Sequence, residues 1–467
     1  MKLVLNEQVV EVNESADRTA LQYLRGSGLT GTKEGCASGD CGACTVMVGE
    51  LKDGKIEFKT VNACIVPIGQ LAGTHVVTVE GLADQSGLHP VQDEMVACHG
   101  SQCGFCTPGF VMSLAVMLEN RDPAKIETVQ QGISGNLCRC TGYRPIVQAG
   151  VNALARSYES RLQDPGLLKD MEPQSEGKVQ QPLSESALQE AMLQYPLAAL
   201  IAGGTDLMLD VTQRYKPIER LIDVSRVTEL RSITETQDTY LVGASVPYTE
   251  LESFFASRSK PFVSLLHRLG SRQIRNSGTI GGNLASGSPI ADIPPILICW
   301  DAALVLCSSS DRRREVDINE FYTGYRQTVL HSDEYIAGIR VPKRSLNYFT
   351  RFYKSSKRIE DDISSVMGAF LFEADGSRIT AARVAFGGMA ATPVRLLGIE
   401  DILVGKTVNE GMLAEVSQAL DKAMSPLTDV RASAEYRSAL ARSMLERALN
   451  EFSGVSKPLV MELKLHA

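Results

Sequence analysis

Nowhere in the 467 residues do about 18 uncharged apolar residues run together, the length a membrane-crossing helix needs. The N-terminus, Met1-Lys2-Leu3-Val4-Leu5-Asn6-Glu7, lacks the apolar core of a secretion signal. Positive charge is not in excess: 47 Lys and Arg face 55 Asp and Glu, for a formal net charge of -8, and the basic residues are scattered. A nucleic-acid partner normally calls for a basic face, so the charge gives it no support. Charged residues reach only 22% against 44% apolar, which argues for packed cores and against disorder. The expectation is a soluble, cytoplasmic protein without membrane contact, and the length suggests about three domains.

Cysteine is what the chain does have. Eight of its 11 cysteines fall in tight groups separated by two, four or one residues. Without a secretion signal, such grouping reads as metal ligation rather than disulfides. The first group is Lys33-Glu34-Gly35-Cys36-Ala37-Ser38-Gly39-Asp40-Cys41-Gly42-Ala43-Cys44, with Cys64 well downstream. C-x4-C-x2-C…C is the spacing of plant-type 2Fe–2S ferredoxins. Gly35, Gly39 and Gly42 let the loop take positive φ and bring backbone N–H groups up to the sulfurs. Zinc is the competing occupant, although zinc knuckles tend to come as two C-x2-C pairs. A Rieske centre needs two histidine ligands, and neither His75 nor His99 pairs suitably with cysteine. Before this loop, residues 2–5 and 9–12 read as a hairpin, and Asp17 is placed to cap a helix over 18–25 that Gly26 ends. Gly26-Ser27-Gly28-Leu29-Thr30-Gly31 matches G-x-G-x-x-G, but a helix precedes it and the cluster loop follows, so it is no dinucleotide site.

The second group occupies residues 102–144. It opens with Gln102-Cys103-Gly104-Phe105-Cys106-Thr107-Pro108-Gly109 and closes with Gly135-Asn136-Leu137-Cys138-Arg139-Cys140-Thr141-Gly142-Tyr143-Arg144-Pro145. Residues 109–118 are apolar and predict a buried helix, with Thr107 as its cap and Pro108 in its first turn. A second helix is expected from Pro145, burying Ile146, Val147, Ala149, Val151 and Leu154. Both cysteine pairs then precede helix starts, where free N–H groups favour a negatively charged cluster, and four thiolates can meet at one point. With helices from Pro90 to Gly100 and over 126–131, this makes a four-helix unit ligating through Cys103, Cys106, Cys138 and Cys140. Cys98 reads as a small buried apolar residue.

Residues 163–181, polar and marked by Asp164-Pro165-Gly166 and Glu172-Pro173, read as a linker. An apolar strand over 197–201 runs into Ala202-Gly203-Gly204-Thr205-Asp206-Leu207, a weak pyrophosphate signal on its own. Residues 275–292 add a second glycine-, serine- and asparagine-rich loop rich in backbone donors; an ordinary surface loop is the alternative. Cys299 and Cys307, in an apolar strand-like run beside Trp300, read as inert core.

The double motif C-G-F-C-T-P-G and G-N-L-C-R-C-T-G-Y-R-P, following a ferredoxin-like loop, resembles the iron–sulfur portion of the molybdenum hydroxylases, the xanthine dehydrogenase and aldehyde oxidase family. The resemblance implies an α+β multidomain chain. It would comprise a β-grasp plant-ferredoxin-like domain (1–84), a helical four-helix 2Fe–2S domain (85–160), a linker (161–180), a vanillyl-alcohol-oxidase-type FAD domain (181–347) and a C-terminal α+β domain (348–467). It further implies that Leu200, Ile201, Ala202, Gly203, Gly204, Thr205, Asp206 and Leu207, with Thr279, Ile280, Gly281, Gly282 and Asn283, hold the FAD pyrophosphate. Asp292 would hold other polar groups of the cofactor, with Leu269, Ile336 and Lys354 near the flavin, and Gln102 and Cys140 close to the molybdopterin of a partner. The segments Phe321-Tyr322-Thr323-Gly324-Tyr325-Arg326 and Lys354-Ser355-Ser356-Lys357-Arg358-Ile359-Glu360-Asp361-Asp362 are similar to the xanthine dehydrogenase branch; the second could equally be a solvated loop. Helices over 410–424 and 432–451 after a strand over 378–386, with Gly387-Gly388-Met389, suit the family's last flavoprotein domain.

By this resemblance the chain is expected to be the small subunit of a split enzyme. It would carry no catalytic residue, would partner a large molybdopterin subunit in a dimer of heterodimers, and would pass electrons through two 2Fe–2S clusters to FAD and then NAD. An aldehyde or N-heteroaromatic substrate for the partner stays open, as does a stand-alone NADH-oxidising iron–sulfur flavoprotein.

Overall fold

Strands β1 (Lys2–Leu5) and β2 (Gln8–Glu11) form the expected hairpin, turned by Asn6 and Glu7 at positive φ. The computed structural model describes residues 1–454 except 86, 170 and 172–176. These fall into two units: Met1–Arg231 with Pro247–Glu250 and Gly270–Gly282, and Ser232–Val246 with Leu251–Leu269 and the described residues from 283 onward.

In the first unit, β3 (Thr45–Lys52), β4 (Lys55–Asn62) and β5 (His75–Val77) complete a mixed sheet in the order β2-β1-β5-β3-β4, with β1 and β5 parallel. Helix α1 (Ala20–Gly26) packs Leu21 and Leu24 into a core with Leu3, Val46 and Val48, completing a β-grasp. Its cap is Thr19 and not Asp17, because Thr19 and Gln22 satisfy one another's backbone N–H in a capping box. Asp17 instead accepts from Ile218 N at 3.2 Å.

Helices α2 (Pro90–Ala97), α3 (Thr107–Glu119), α4 (Ile126–Gly132) and α5 (Arg144–Leu154) form the helical domain. α3 is buried on every side from Gly109 onward, as an uninterrupted apolar sequence requires. Its cap is Cys106 rather than Thr107, whose hydroxyl is engaged with Ser101 Oγ at 2.7 Å. On α5, Ile146 and Ala149 are buried while Val147, Val151 and Leu154 are half-buried against the same core.

The expected linker is anchored at both ends. Leu162 and Leu168 are buried in the helical core, and Val179–Gln180 (β6) joins a parallel sheet with Ala199–Ile201 (β7) and Leu221–Asp223 (β8), in the order β6-β8-β7. Glu172-Pro173 lies outside the described residues. β7 is shorter than expected: a turn closed by Ala198 N donating to Tyr195 O leaves Leu197 98% exposed.

The glycine-rich stretch is partly helical, and irregular over 286–292. Helix Arg272–Ser277 is capped by Ser271, helix Ile280–Ala285 begins where Thr279 Oγ1 accepts from Gly282 N, and only Gly278 and Thr279 separate them. Side-chain caps outweighed the poor helix propensity of glycine.

In the second unit, five antiparallel strands run in the order Arg313–Asp317, Ala303–Ser308, Glu334–Pro342, Thr239–Gly243, Ile233–Glu235. A further antiparallel sheet (Phe349–Ser355, Val366–Asp375, Arg378–Gly387, Val394–Arg395) is covered by helices Leu397–Leu403, Glu410–Ala423 and Ala434–Phe452. Cys299 and Cys307 are buried, but Cys299 ends the helix Ile293–Cys299 instead of sitting in a strand. Among the described residues no helix is long and apolar enough to cross a membrane.

Candidate redox site

The loop between α1 and β3 wraps around Cys36. The N–H groups of Ser38, Asp40 and Cys41 point at its Sγ from 3.4, 3.3 and 3.3 Å. Such donors stabilise a thiolate and make a mould for a negatively charged group. The loop holds this shape through Gly39 (φ 78°) and Gly42 (φ 69°); a Cβ on Gly42 would lie 2.2 Å from Gly135 O. Gly35 also sits tight, 2.7 Å from Cys41 Sγ at the Cβ position. Cys44 and Cys64 are buried at the rear, and Cys36 and Cys41 are half-buried in front.

The sulfurs of this set interact with one another. Hydrogen bonding from the Cys41 and Cys64 thiols holds Cys36 well below the usual thiol range, and the Cys36 sulfur drives Cys41 and Cys64 upward. Full ionisation of such a cluster of sulfurs is favoured by a cation among them, and an iron pair would supply that charge.

The second set lies where the loops before α3 and α5 meet. Cys103 and Cys140 are exposed, whereas Cys106 and Cys138 are half-buried. Cys140 is raised by its hydrogen bond to Cys103, and burial followed by Cys138 pushes Cys106 up to about 12. Thr141 supports Cys138, its hydroxyl 3.2 Å and its N–H 3.5 Å from Sγ, while Cys138 N donates to Tyr143 Oη at 2.9 Å. Gly104 and Gly142 turn the two loops at φ 82° and 69°. Gln102, expected beside a partner's pterin, is exposed. Cys98 is half-buried at the end of α2, with Asn152 Nδ2 3.5 Å from its sulfur.

All eight expected ligands are therefore assembled in two sets. Among the described residues no three ligating side chains gather closely enough to hold a single metal ion. In the first set Cys36 is hydrogen-bonded to both Cys41 and Cys64, and Cys64 also to Cys44; in the second, Cys103 contacts Cys140 and Cys106 contacts Cys138. The donor chemistry fits a 2Fe–2S cluster at both places.

The two sets are joined. Leu137 N donates to Cys41 O at 3.0 Å, so a ligand of the first set is hydrogen-bonded to the residue preceding a ligand of the second. Beside that bond, Asn136 Nδ2 donates to Gly42 O at 3.0 Å and Thr45 Oγ1 at 3.2 Å, and Asn136 Oδ1 accepts from Ser113 Oγ at 2.6 Å. Sequence reasoning quoted Asn136 within the motif but gave it no role, because its partners lie 23 and over 90 residues away.

Of the expected flavin residues in the first unit, Gly203 makes a close backbone approach to Ser277 and Gly278. Gly204 has φ 69°, and a Cβ on Gly203 would lie 1.8 Å from Ser277 O, just before Gly278 and Thr279. Ile201, Gly204, Thr279, Ile280 and Gly281 are buried, Leu200, Ala202, Gly203, Thr205 and Leu207 half-buried, and Asp206 and Gly282 exposed. In the second unit Asn283 Oδ1 is buried without a hydrogen-bond partner among the described residues. Asp292 is buried with Lys354 Nζ at 2.8 Å on Oδ2 and Ser364 Oγ donating to Oδ1 at 2.5 Å. Ile336 is buried in its strand, and Leu269 is half-buried at the end of helix Lys260–Leu269. In the first unit the close glycine approach fits a phosphate-bearing group; in the second the unpartnered amide fits a polar ligand. Lys354 was expected in a charged segment but is buried at the end of its strand, and the half-buried and exposed residues after it fold on themselves through Arg358 and Asp362.

Two cysteine-ligated domains ahead of a flavin-binding domain define an iron–sulfur flavoprotein. The sequence matches four family models in order: 2Fe-2S iron-sulfur cluster binding domain (3–69), [2Fe-2S] binding domain (78–150), FAD binding domain in molybdopterin dehydrogenase (174–344) and CO dehydrogenase flavoprotein C-terminal domain (351–452). The chain belongs to the molybdenum hydroxylases, as their iron–sulfur and flavin portion.

It is 34% identical to the xanthine dehydrogenase of Emericella nidulans over 83% of this chain and 34% of that protein. It is 32% identical to the xanthine dehydrogenase/oxidase of Mus musculus over 89% of this chain and 36% of that protein. The chain thus spans about a third of the length of these relatives. Among solved structures it resembles a chain of the carbon monoxide dehydrogenase from Hydrogenophaga pseudoflava (29% identity, TM-score 0.55), covering 58% of this chain and 96% of that one. It also resembles one of quinoline 2-oxidoreductase from Pseudomonas putida 86 (25%, TM-score 0.55), covering 60% and 97%.

Proposed function

We propose that this chain is the electron-relaying part of a xanthine dehydrogenase. It would accept electrons from a molybdopterin-bearing partner during hydroxylation of hypoxanthine or xanthine, and pass them through two 2Fe–2S clusters to FAD and on to NAD. The observation that carries this reading is the identity of more than 30% to xanthine dehydrogenases across more than four-fifths of the chain. When bound, the clusters and flavin supply the one- and two-electron chemistry.

The chain's own residues hold, shield and space those groups. Cys36, Cys41, Cys44 and Cys64 form the more buried set, and Cys103, Cys106, Cys138 and Cys140 the more exposed one. Exposure of Cys103 and Cys140 suits entry of electrons at the second set. The Cys41 O to Leu137 N bond keeps the two loops adjacent. Backbone N–H groups on Cys36 and solvent exposure at Cys140 are the levers that set each potential, about 59 mV corresponding to a tenfold change in a one-electron equilibrium. The Gly203 turn and the residues from Thr279 to Asn283 would receive the FAD pyrophosphate, and Asp292 and Lys354 polar groups of the flavin.

The likeness to quinoline 2-oxidoreductase supports a second reading, an N-heteroaromatic substrate for the partner. Purification from the native host with metal analysis and a substrate panel separates the readings. A large molybdenum-bearing companion and NAD-linked activity on hypoxanthine or xanthine are expected. Activity on an N-heteroaromatic ring alone would favour the second reading, and absence of any molybdenum companion would overturn both.

A further inference from the structure

Helix Arg272–Ser277 sends one buried side chain into the joint between the two cysteine loops. Gln273 is 1% exposed, and its Nε2 lies 3.1 Å from Thr45 Oγ1, 3.2 Å from Asn136 Oδ1 and 3.4 Å from Ser113 Oγ. Thr45 directly follows the ligand Cys44, Asn136 stands two residues before the ligand Cys138, and Ser113 belongs to α3. An amide has two protons for these three acceptors, so the group is shared within a small dry network where hydrogen bonds are strong. Gly135 makes the room: a Cβ there would lie 2.2 Å from Gln273 Oε1. The helix is fastened at other points too. Asn276 Nδ2 donates to Thr60 O at 2.9 Å, Ile274 packs on the β-grasp core, and Ser277 O abuts Gly203.

We propose that Gln273 is a positioning residue for electron transfer: its amide pins the two cysteine loops at one spacing and ties that spacing to the helix that leads into the flavin phosphate loop. This rests on the relay reading above. Without the amide, Asn136 Oδ1 keeps Ser113 Oγ, and Asn136 Nδ2 keeps Thr45 Oγ1 and Gly42 O, so the loops stay bonded to each other while losing their shared tie to the helix that fixes that spacing.

The test is Gln273→Met in the full cofactor-loaded protein, a change that keeps volume and removes the N–H donors. Iron and FAD content should match wild type. The magnetic interaction between the two reduced clusters, read by electron paramagnetic resonance after dithionite reduction, should shift or broaden. Electron equilibration between clusters and flavin should slow. A merely structural role would lower the melting temperature and leave the magnetic interaction and the transfer rate at wild-type values, and that result overturns the proposal. Should the Met variant fail to load, Gln273→Asn, which withdraws the amide by one methylene, is read in the same way; failure of both to load iron places Gln273 in loop folding and also overturns it. A wild-type protein with no interaction between its reduced clusters, or with no cluster-to-flavin transfer, would refute the relay reading itself rather than the part played by Gln273.

Discussion

Gly42 and Gly142 share a backbone dihedral, φ 69°, but not a neighbourhood, and alanine at each separates strain from packing. Either substitution forces a side chain into the left-handed region, at about 1–2 kcal/mol. At Gly142 nothing lies within 4 Å of the new Cβ, so the cost stops there. At Gly42 the Cβ would meet Gly135 O at 2.2 Å, Asn136 Nδ2 at 2.6 Å and Asn136 Cα at 2.9 Å, mostly backbone that cannot swing aside. Relief requires the loops to part. That sacrifices the buried Asn136 to Gly42 O bond, about 1–3 kcal/mol, and the more exposed Leu137 to Cys41 O bond, about 0.5–1.5 kcal/mol. The Gly42 variant should therefore be destabilised by about 3–6 kcal/mol, a large part of a typical domain's stability. The assay is iron content, visible circular dichroism and thermal melting of both variants in parallel. Gly142→Ala should keep both clusters, and Gly42→Ala should lose iron. Equal iron content and melting temperatures would refute the claim that contact between the loops, rather than dihedral strain, requires glycine at 42.

Gly203→Ala should strip FAD absorbance while leaving iron content intact, since its Cβ would lie 1.8 Å from Ser277 O; wild-type flavin content would remove these residues from the phosphate site. Cys138→Ser should abolish one of the two reduced-cluster signals and spare the flavin, and loss of flavin alone would break the domain assignment. Lys354→Met leaves the buried Asp292 carboxylate with the Ser364 hydroxyl but without its cation and should cost about 3–5 kcal/mol, most of it recovered when Asp292→Leu is added; calorimetry giving equal melting temperatures for the single and double variants would contradict this. Burial holds the His75 imidazole down to about 4 from 6.5, with the Glu119 charge opposing weakly. The unfolded chain then binds the extra proton between those values, so His75 withdraws stability as pH falls from about 6.5 through about 4. His75→Leu should flatten the loss of melting temperature across that window, and an unchanged acid slope would show that other groups carry it.

The cofactor chemistry was legible in the chain because metal ligation is a local affair: short spacings of cysteine around glycine, ahead of helix starts, specify the donor set whatever surrounds it. The helices over the second cluster and in the C-terminal domain were legible for a similar reason, their apolar period or composition being continuous. Competition between neighbours was less visible. Asp17 and Thr19 were both eligible caps, and only the reciprocal bonds of Thr19 with Gln22 decided between them. Residues 275–292 look like loop by composition, yet 275–277 and 280–285 fold into short helices, because Ser271 and Thr279 supply caps, while 286–292 stay irregular.

Sequence alone determined what the chain offers: two groups of closely spaced cysteines, glycine-rich turns, and an order of domains shared with the molybdenum hydroxylases. Tertiary structure alone decided how those parts are spaced. Gln273, Asn136, Ser113 and Thr45 are ordinary polar residues drawn from separate stretches of the sequence, and although Asn136 sits in the cysteine motif, no spacing reveals that the four meet. They acquire a common role only because folding removes them from water together, where each must find its hydrogen bond in another.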